Sequence, residues 1–377
     1  MITTALCLLL FTTNGFAGNT DNFPTTPIRH NGAKWSIGYY EGGNYIEYKK
    51  AFIATIKGLI NSGWIEPQTL PDFPGDDTKQ LWEWCGDHLQ SNYLLFKKDA
   101  YYSSEWKDDF RKQQAKTLLH RLNTTKDIDL MMAMGTWAGQ DLSNDQHHVP
   151  TIALAISDAL SSGIIKSYEN SGYDHIHARV DPLRYERQVE IFHDIMGFKR
   201  LGIMYEDTVR GRSYASVDKV EKVAKKQGFE IIKCFIKEGS NDKKTAVEEV
   251  IRCFSELCKK ADAIYVTLHV GVNPDSLPDL VEIANQASIP TFSQAGSEEV
   301  KYGLLMSISQ AEYKYVGQYH AQTMAKIFNG AKAGELSQFF EEPSQIALNL
   351  KTAAKIGYDP SVDILSAADE IYNDYVE

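Results

Sequence analysis

From Lys34 onward, the sequence alternates short apolar runs with longer amphipathic segments. Short apolar runs of this kind form buried strands, and the intervening segments are long enough to return as helices. This order is typical of a parallel sheet with helices on both faces, an α/β fold. The predicted strands are 35–40, 92–96, 130–134, 151–156, 200–205, 230–235, 263–268, 291–293 and 303–308.

Amphipathic helices are predicted between these strands. In 216–227, for example, Val217, Val220 and Val223 recur at helical spacing, so one face packs on the sheet while lysines face water. Two stretches break the alternation: proline-rich 66–102 is predicted to be an insertion, and irregular 163–177 a link between two halves. The predicted helices are 45–62, 107–122, 184–196, 216–227, 245–259, 276–286 and 312–329.

The chain is acidic and long enough for two domains. Its 377 residues include 39 Lys and Arg against 50 Asp and Glu, a net charge of -11. Domains commonly hold roughly 100–200 residues, so two are expected. The negative field argues against nucleic acid or an anionic membrane surface as the main partner.

The first 17 residues have the character of a signal peptide. They carry no charge, contain an apolar run from Ala5 to Phe11, and end in Gly15-Phe16-Ala17, a small-x-small cleavage pattern. The run is too short for a membrane span, which needs about 20 apolar residues. We therefore predict export to the periplasm with cleavage after about Ala17. A buried N-terminal helix is the alternative, since no Lys or Arg precedes the run.

Four cysteines lie beyond this segment, and they allow three complete pairings. None has the spacing of metal ligands. Cys253 and Cys258 are predicted to lie on different faces of one helix as small buried hydrophobic residues. The four are Cys85, Cys234, Cys253 and Cys258.

Ligands of open parallel sheets bind beyond the carboxyl ends of the strands, so the residues there are the candidate site. In the first half, Tyr40 and Glu41 precede two glycines, and Thr136 and Trp137 begin a polar helix. An aromatic face suits an apolar ligand, and a helix N-terminus with a Thr hydroxyl suits a carboxylate. A plain capped turn is the alternative at Thr136.

Ser157 and Asp158 follow the strand predicted at 151–156. We expect Asp158 to bind a ligand ammonium group, with Thr136 at the anion site. A helix N-cap is the equally weighted alternative for Asp158.

Candidates in the second half also follow predicted strands. Arg210 and Arg212 offer a guanidinium fork for a carboxylate, or instead pair with Glu206 and Asp207 at the surface. Ser213 is predicted to cap the next helix. The ligand-binding candidates of this half are Glu206, Arg210, Ser213, His269 and Gln294.

The sequence contains no catalytic or cofactor motif of the types sought. The glycines after Glu41 lack the spacing of a dinucleotide fingerprint, and neither a P-loop nor a nucleophile elbow occurs. His147-His148 and His175-x-His177 lack a carboxylate in metal-ligand spacing, so solvated loop histidines are predicted. No cofactor, metal or enzymatic activity is expected.

Beyond these local features, the chain from about Lys34 to Tyr372 resembles the ABC-transporter solute-binding family, whose members include tryptophan- and tyrosine-binding lipoproteins. The resemblance is carried by IGYYEGGNYIEYKKAF (37–52), DLMMAMGTWAG (129–139), VPTIALAISDALSSGII (149–165), LGIMYEDTVRGRSYASVDKVEKVAKKQGFEII (201–232), ADAIYVTLHVGVNPDSLPDLVEIANQASIPTFSQ (261–294) and ALNLKTAAKIGYDPSVDILSAADEIY (347–372).

This resemblance implies two Rossmann-like lobes joined by a hinge, the type I periplasmic binding protein fold. The N-terminal lobe would comprise 34–156 plus about 293–345, and the C-terminal lobe 157–292 plus about 346–377, with the ligand cleft between them. Two departures bear on the ligand. Thr136-Trp137-Ala138-Gly139 stands where the family often has Thr-Pro-Ala-Ala, and Leu268-His269 where many members have Asp-Asn.

The resemblance implies a monomeric, periplasmic solute-binding protein that closes on a small ligand and delivers it to an ABC permease. An aromatic amino acid is the first candidate ligand. The alternative is a sensory module that presents its closed form to a receptor or kinase. An enzyme on the same fold is a further, less favoured reading.

Overall fold

The computed structural model of this chain describes residues 22–156, 158–237, 243–309, 313–341, 343 and 345–376. The predicted signal segment 1–17 and the candidate Ser157 lie outside these residues, as do the side chains of Arg210 and Lys243. The described residues form two compact units: 22–49, 58–180 and 320–339 make up unit 1, and the others make up unit 2.

Unit 1 contains a five-stranded parallel sheet in the order β2-β1-β3-β4-β5. The strand β3 is buried along its whole length, as expected where helices cover both faces. The elements are β1 (Trp35–Glu41), α1 (Ile46–Asn61), α2 (Lys79–His88), β2 (Leu94–Ser103), α3 (Asp108–Thr124), β3 (Leu130–Met134), α4 (Gly135–Leu142), β4 (Thr151–Leu154) and β5 (Ile176–Ala178).

Unit 2 contains a seven-stranded sheet in the order β12-β11-β10-β9-β8-β6-β7. Its strands run parallel except for the antiparallel pair β10 and β11, which the sequence did not predict. The strands are β6 (Arg200–Glu206), β7 (Glu230–Ile236), β8 (Ala263–Val266), β9 (Thr291–Ser293), β10 (Met306–Ile308), β11 (Ile346–Asn349) and β12 (Ala368–Tyr372).

Helices α5 to α13 follow along the rest of the chain. The predicted apolar stripe of α7 is confirmed, since Val217, Val220 and Val223 are buried in one core with Leu201 and Ile203 of β6. The helices are α5 (Arg184–Met196), α6 (Val209–Tyr214), α7 (Val217–Gln227), α8 (Lys243–Leu257), α9 (Leu277–Ala287), α10 (Ser297–Lys301), α11 (Lys314–Phe328), α12 (Leu350–Ile356) and α13 (Val362–Ala367).

The predicted insertion 66–102 is part of the fold of unit 1. It contributes α2 and most of β2, which pairs with β1 at the edge of the sheet. Trp82 of α2 is fully buried, and its indole N–H donates to the Lys97 carbonyl oxygen at 3.0 Å. The prediction of an insertion was based on the prolines at the start of the segment, and these form only the loop that leads to α2.

The lobe boundaries also differ from the expected ones. Strand β10 pairs with β9 and β11 in the sheet of unit 2, whereas the sequence placed it within the N-terminal segment 293–345. Only 320–339 of that segment groups with unit 1. At the other boundary, unit 1 continues to Val180, because β5 adds a fifth strand where the sequence predicted an irregular link.

Two predictions about cysteine and histidine are wrong. Cys253 forms a disulfide with Cys234, which joins α8 to β7, while Cys85 and Cys258 are free. His147, His175 and His177 are buried rather than solvated, whereas His148 is exposed as predicted; burial lowers the pKa of His147 and of His177 to about 4. Across the described residues, no helix combines the length and the apolar character needed to cross a membrane.

Candidate functional site

Four aromatic side chains gather at the carboxyl ends of β1, β2 and β3, and we call them the aromatic edge. The Tyr45 and Tyr48 rings meet edge to face at 5.2 Å, and Tyr48 lies 6.1 Å from Trp106. Trp106 in turn meets Trp137 edge to face at 5.5 Å. Trp106 is 47% exposed and Tyr45 is 48% exposed, so large apolar faces are open to solvent.

Two glycines allow these rings to lie against the backbone. A Cβ atom on Gly43 would lie 2.5 Å from the Trp106 ring, and one on Gly135 would overlap the Tyr48 hydroxyl oxygen. Gly135 also has a φ of 80°, a conformation that favours glycine. The local sequence is therefore fitted to the aromatic edge.

The position of Trp106 is set by a turn with unusual residues. Lys107 N–H donates to the Ser104 carbonyl oxygen at 2.9 Å, while Glu105 and Trp106 have φ values of 49° and 55°. Turns with two such residues prefer Asn-Gly, and the left-handed conformation costs other residues about 1–2 kcal/mol each. The Trp106 indole N–H also donates to the Asn44 carbonyl oxygen at 3.0 Å. Backbone strain of this kind concentrates at functional sites.

Thr136 and Trp137 lie in the first turn of α4, as the sequence predicted. Both are half-buried, and the N-cap residue Met134 provides no side-chain cap. The Arg111 guanidinium carbon lies 4.8 Å from the centre of the Trp137 ring. Arg111 is paired with Asp141 through two contacts of 2.9 Å, so its charge is already balanced.

Tyr40 and Glu41 make internal contacts and have no exposed surface. The Tyr40 hydroxyl donates to Asp141 at 2.7 Å. Glu41 accepts hydrogen bonds from Tyr39 at 2.9 Å and from Tyr101 at 2.7 Å. Burial raises the pKa of Glu41 to about 7. The polar groups of these two candidates are therefore occupied within unit 1, and their contact with a ligand stays a prediction.

Asp158 is exposed and serves its own turn. One carboxylate oxygen accepts from the N–H groups of Leu160 at 3.1 Å and Ser161 at 2.9 Å. The other accepts from the Ser161 hydroxyl at 2.5 Å. These contacts hold a turn, and no described helix begins here, so the helix N-cap alternative is not confirmed; the ammonium site stays a prediction.

In unit 2, Glu206 and His269 come together at the carboxyl ends of β6 and β8, and we call them the polar pair. The His269 side chain is 8% exposed, and its Nε2 atom lies 3.6 Å from a Glu206 carboxylate oxygen. That separation is too long for a hydrogen bond. The other ring nitrogen, Nδ1, accepts from the Gly271 N–H at 3.0 Å. Burial lowers the pKa of His269, although the carboxylate of Glu206 opposes that shift.

The candidate Gln294 is 1% exposed, and its amide is occupied. Its oxygen accepts from the Leu268 N–H at 2.9 Å, and its nitrogen donates to the Tyr214 carbonyl at 2.9 Å and to the Ser216 hydroxyl at 3.1 Å. Gln294 therefore joins two loops of unit 2. A ligand would have to displace these bonds to reach it.

The structure tests two predictions about the loop after β6: the one about Ser213 is wrong, and the one about Arg212 is decided between its two alternatives. Ser213 lies inside α6 and does not cap a helix; Thr208 caps α6 by accepting from the Gly211 N–H at 2.9 Å. Arg212 pairs at the surface with Asp218 at 3.1 Å and with the expected Asp207 at 4.0 Å, so the ion-pair alternative holds for this arginine, with Asp218 as its closer partner. Where the structure is described, no cluster of three or more acidic, histidine or cysteine residues could hold a metal ion.

The chain also matches the family model described as ABC transporter substrate binding protein over residues 98–372. The chain belongs to this family. Among curated proteins, it is 26% identical over 226 residues to the Tyrosine-binding protein of Clostridioides difficile (strain R20291). That alignment covers 59% of this chain and 61% of the relative, so the match spans about three fifths of the relative's length.

Solved structures confirm the two-lobed α/β fold. The ABC domain in complex with L-Trp from Streptococcus pneumonia aligns with a TM-score of 0.61 at 17% identity, covering 90% of this chain and all of that one. A ligand-free, open substrate-binding protein with adhesive properties from Clostridium difficile aligns with a TM-score of 0.66 at 20% identity. The alignment covers 91% of this chain and 100% of that one. The predicted resemblance to a family with aromatic-binding members is confirmed.

Proposed function

We propose that the protein is the periplasmic solute-binding component of an ABC importer and that its ligand is an aromatic amino acid. The observation that carries the proposal is the aromatic edge, where Trp106 and Tyr45 are each about half exposed. Soluble proteins rarely leave several large aromatic faces together in water unless they bind something there. The family membership supports the importer role.

The aromatic edge supplies a surface for the ring of such a ligand. Each aromatic pair contributes about 0.5–1.5 kcal/mol beyond the burial of area. The first turn of α4 supplies Thr136 and backbone N–H groups, which suit the ligand's carboxylate. Ring and carboxylate are then bound by neighbouring parts of unit 1.

We also propose that the ligand lies between the two units, that they close on it, and that the closed form delivers it to the permease. Domain closure around a ligand is the behaviour of two-lobed binding proteins. Small-angle X-ray scattering tests this step: the radius of gyration should fall when saturating L-tyrosine is added. An unchanged radius with bound ligand would contradict closure.

The predicted export is supported by the disulfide Cys234–Cys253 in unit 2. Disulfides persist in oxidising compartments and are rare in the cytosol. Proteins of this family are extracytoplasmic. Mass spectrometry of protein recovered from the periplasm should show both the disulfide and a chain that begins near Gly18.

A thermal-shift screen of amino acids, sugars and metal ions tests the ligand class. A ligand that binds only the folded state stabilises it by about 2.7 kcal/mol at a hundredfold excess over Kd. We expect tyrosine, tryptophan or phenylalanine to raise the melting temperature, and sugars to leave it unchanged. Stabilisation by sugars or metal ions without any amino acid would exclude the proposal.

A further inference from the structure

The polar pair has a buried hydrogen-bonding atom that no described residue satisfies. The Nε2 atom of His269 is buried and has no hydrogen-bond partner among the residues that the structure describes, although Glu206 lies 3.6 Å away. Leaving a buried polar atom unpaired destabilises a folded protein. A native protein therefore needs a reason for such an atom, and a ligand group is one.

The hydrogen bonds around His269 determine what that group must be. Because the Gly271 N–H donates to Nδ1, a neutral His269 carries its proton on Nε2 and can only donate there. Glu206, when ionised, can only accept. An ammonium group would satisfy Glu206 but not His269, and a carboxylate would satisfy His269 but be repelled by Glu206. A hydroxyl group satisfies both, since one oxygen accepts one hydrogen bond and donates another.

The spacing and the surroundings fit such a group on an apolar ligand. An oxygen atom can lie about 2.8 Å from each of two atoms that are 3.6 Å apart. Exposed apolar side chains adjoin the pair along the chain: Val209 is 91% exposed, Leu268 39% and Val270 61%. They offer apolar surface to the part of the ligand that carries the hydroxyl.

We propose that Glu206 and His269 form a subsite that recognises the phenolic hydroxyl of a hydroxylated aromatic amino acid. This inference rests on the proposed function and extends it from a ligand class to a preference within that class. A site built to hydrogen-bond a ligand hydroxyl discriminates strongly against the analogue that lacks it, because its own polar groups then stay unpaired. Tyrosine should therefore bind more tightly than phenylalanine.

Isothermal titration calorimetry of the whole chain with L-tyrosine and L-phenylalanine provides the test. The informative variant is His269→Asn, because the Asn oxygen can still accept from Gly271 while the Nε2 donor is lost. His269→Gln places an amide N–H near the Nε2 position and serves as the rescue variant. His120→Ala, on the exposed face of α3, is the matched histidine control.

We expect the unaltered chain to bind tyrosine at least tenfold more tightly than phenylalanine. In His269→Asn the ratio should fall below threefold through weaker tyrosine binding alone, and His269→Gln should restore part of it. Glu206→Ala should reduce the ratio in the same way, which guards against a folding defect of one variant. His120→Ala should leave the ratio unchanged.

Other outcomes overturn the inference in distinguishable ways. Equal affinity for both ligands, or an equal loss of both in His269→Asn, would mean that the pair does not recognise the hydroxyl; an equal loss would instead assign it to the amino-acid head group. Either result leaves the proposed function standing. If neither ligand binds the unaltered chain, the proposed function fails and the subsite fails with it.

Discussion

The carboxyl ends of the two sheets differ in how their polar groups are satisfied. In unit 1, Tyr40 and Glu41 are buried and hydrogen-bonded, and the exposed surface beside them is aromatic. In unit 2, the described residues leave the buried Nε2 atom of His269, beside Glu206, without a hydrogen-bond partner. Apolar area contributes affinity with little directional preference, whereas unpaired polar groups discriminate between ligands. On the proposed binding mode, unit 1 would supply most of the affinity and unit 2 most of the specificity.

The largest effect is expected when a backbone position that supports the aromatic edge is changed, which tests whether unit 1 supplies the affinity. Gly135→Ala should weaken binding of aromatic amino acids at least tenfold, because the new Cβ overlaps the Tyr48 hydroxyl. The left-handed φ and the overlap together should lower the free energy of unfolding by about 2–5 kcal/mol. Calorimetry and urea denaturation measure the two effects.

Gly163→Ala is the matched control. Its φ of 74° is close to the 80° of Gly135, but no atom lies within 4 Å of the new Cβ. It should cost only about 1–2 kcal/mol of stability and leave the affinity unchanged. Equal effects of both substitutions would show that strain, and not the position of Tyr48, explains the loss.

The second prediction concerns the buried carboxyl group of Glu41 and the pH dependence of stability that it causes. Its pKa is raised from 4.5 to about 7, so its contribution to stability is fully present below pH 4.5 and is lost as the pH rises towards 7. The loss corresponds to about 3 kcal/mol. Glu41→Gln should remove this part of the pH dependence in urea denaturation between pH 4.5 and 8. A variant as pH-dependent as the unaltered chain would refute the assignment.

Trp106→Ala should weaken binding by about 0.5–1.5 kcal/mol, the value of one aromatic contact. Trp84→Ala is the appropriate control, since the Trp84 ring lies tilted against the His88 ring on α2, with 5.8 Å between ring centres, and is outside the aromatic edge. Trp82 would be a poor control because it is fully buried, and its removal would cost about 3–5 kcal/mol of stability. If Trp84→Ala weakens binding as much as Trp106→Ala, the edge is not the binding surface.

The smallest effect is expected at Asp158. Asn caps a turn nearly as well as Asp, so Asp158→Asn should change the affinity less than twofold and barely alter the melting temperature. A tenfold loss of affinity at unchanged melting temperature would instead reinstate Asp158 as an ammonium site.

The sequence predicted those elements whose residues are close together along the chain. The stripe of α7 and the buried run of β3 are continuous in sequence, and both were predicted correctly. The internal hydrogen bonds of Glu41 were not, because its partner Tyr101 lies 60 residues away on β2. Strands β11 and β12 were missed because pairing with distant neighbours, not apolar periodicity, defines them.

The residues of the candidate site also fall into those that the sequence predicted and one that it did not. Thr136 and Trp137 lie in the helix that follows β3, Glu206 ends β6, and His269 comes shortly after β8. All four therefore lie at carboxyl ends of strands, as the sequence predicted, while their contact with a ligand stays a prediction. Trp106 follows β2, which was assigned to an insertion, and its place depends on a turn that the residues Glu-Trp do not suggest. Its only sequence signal is an aromatic residue just after a strand end.

The most direct test of the central claim is a calorimetric titration of L-tyrosine into the unaltered chain and into Trp137→Ala. We predict saturable binding at one site, with a negative heat-capacity change from apolar burial and a weaker affinity in the variant. The absence of binding by any aromatic amino acid, or the same affinity in Trp137→Ala, would contradict the claim that the aromatic edge binds the ligand.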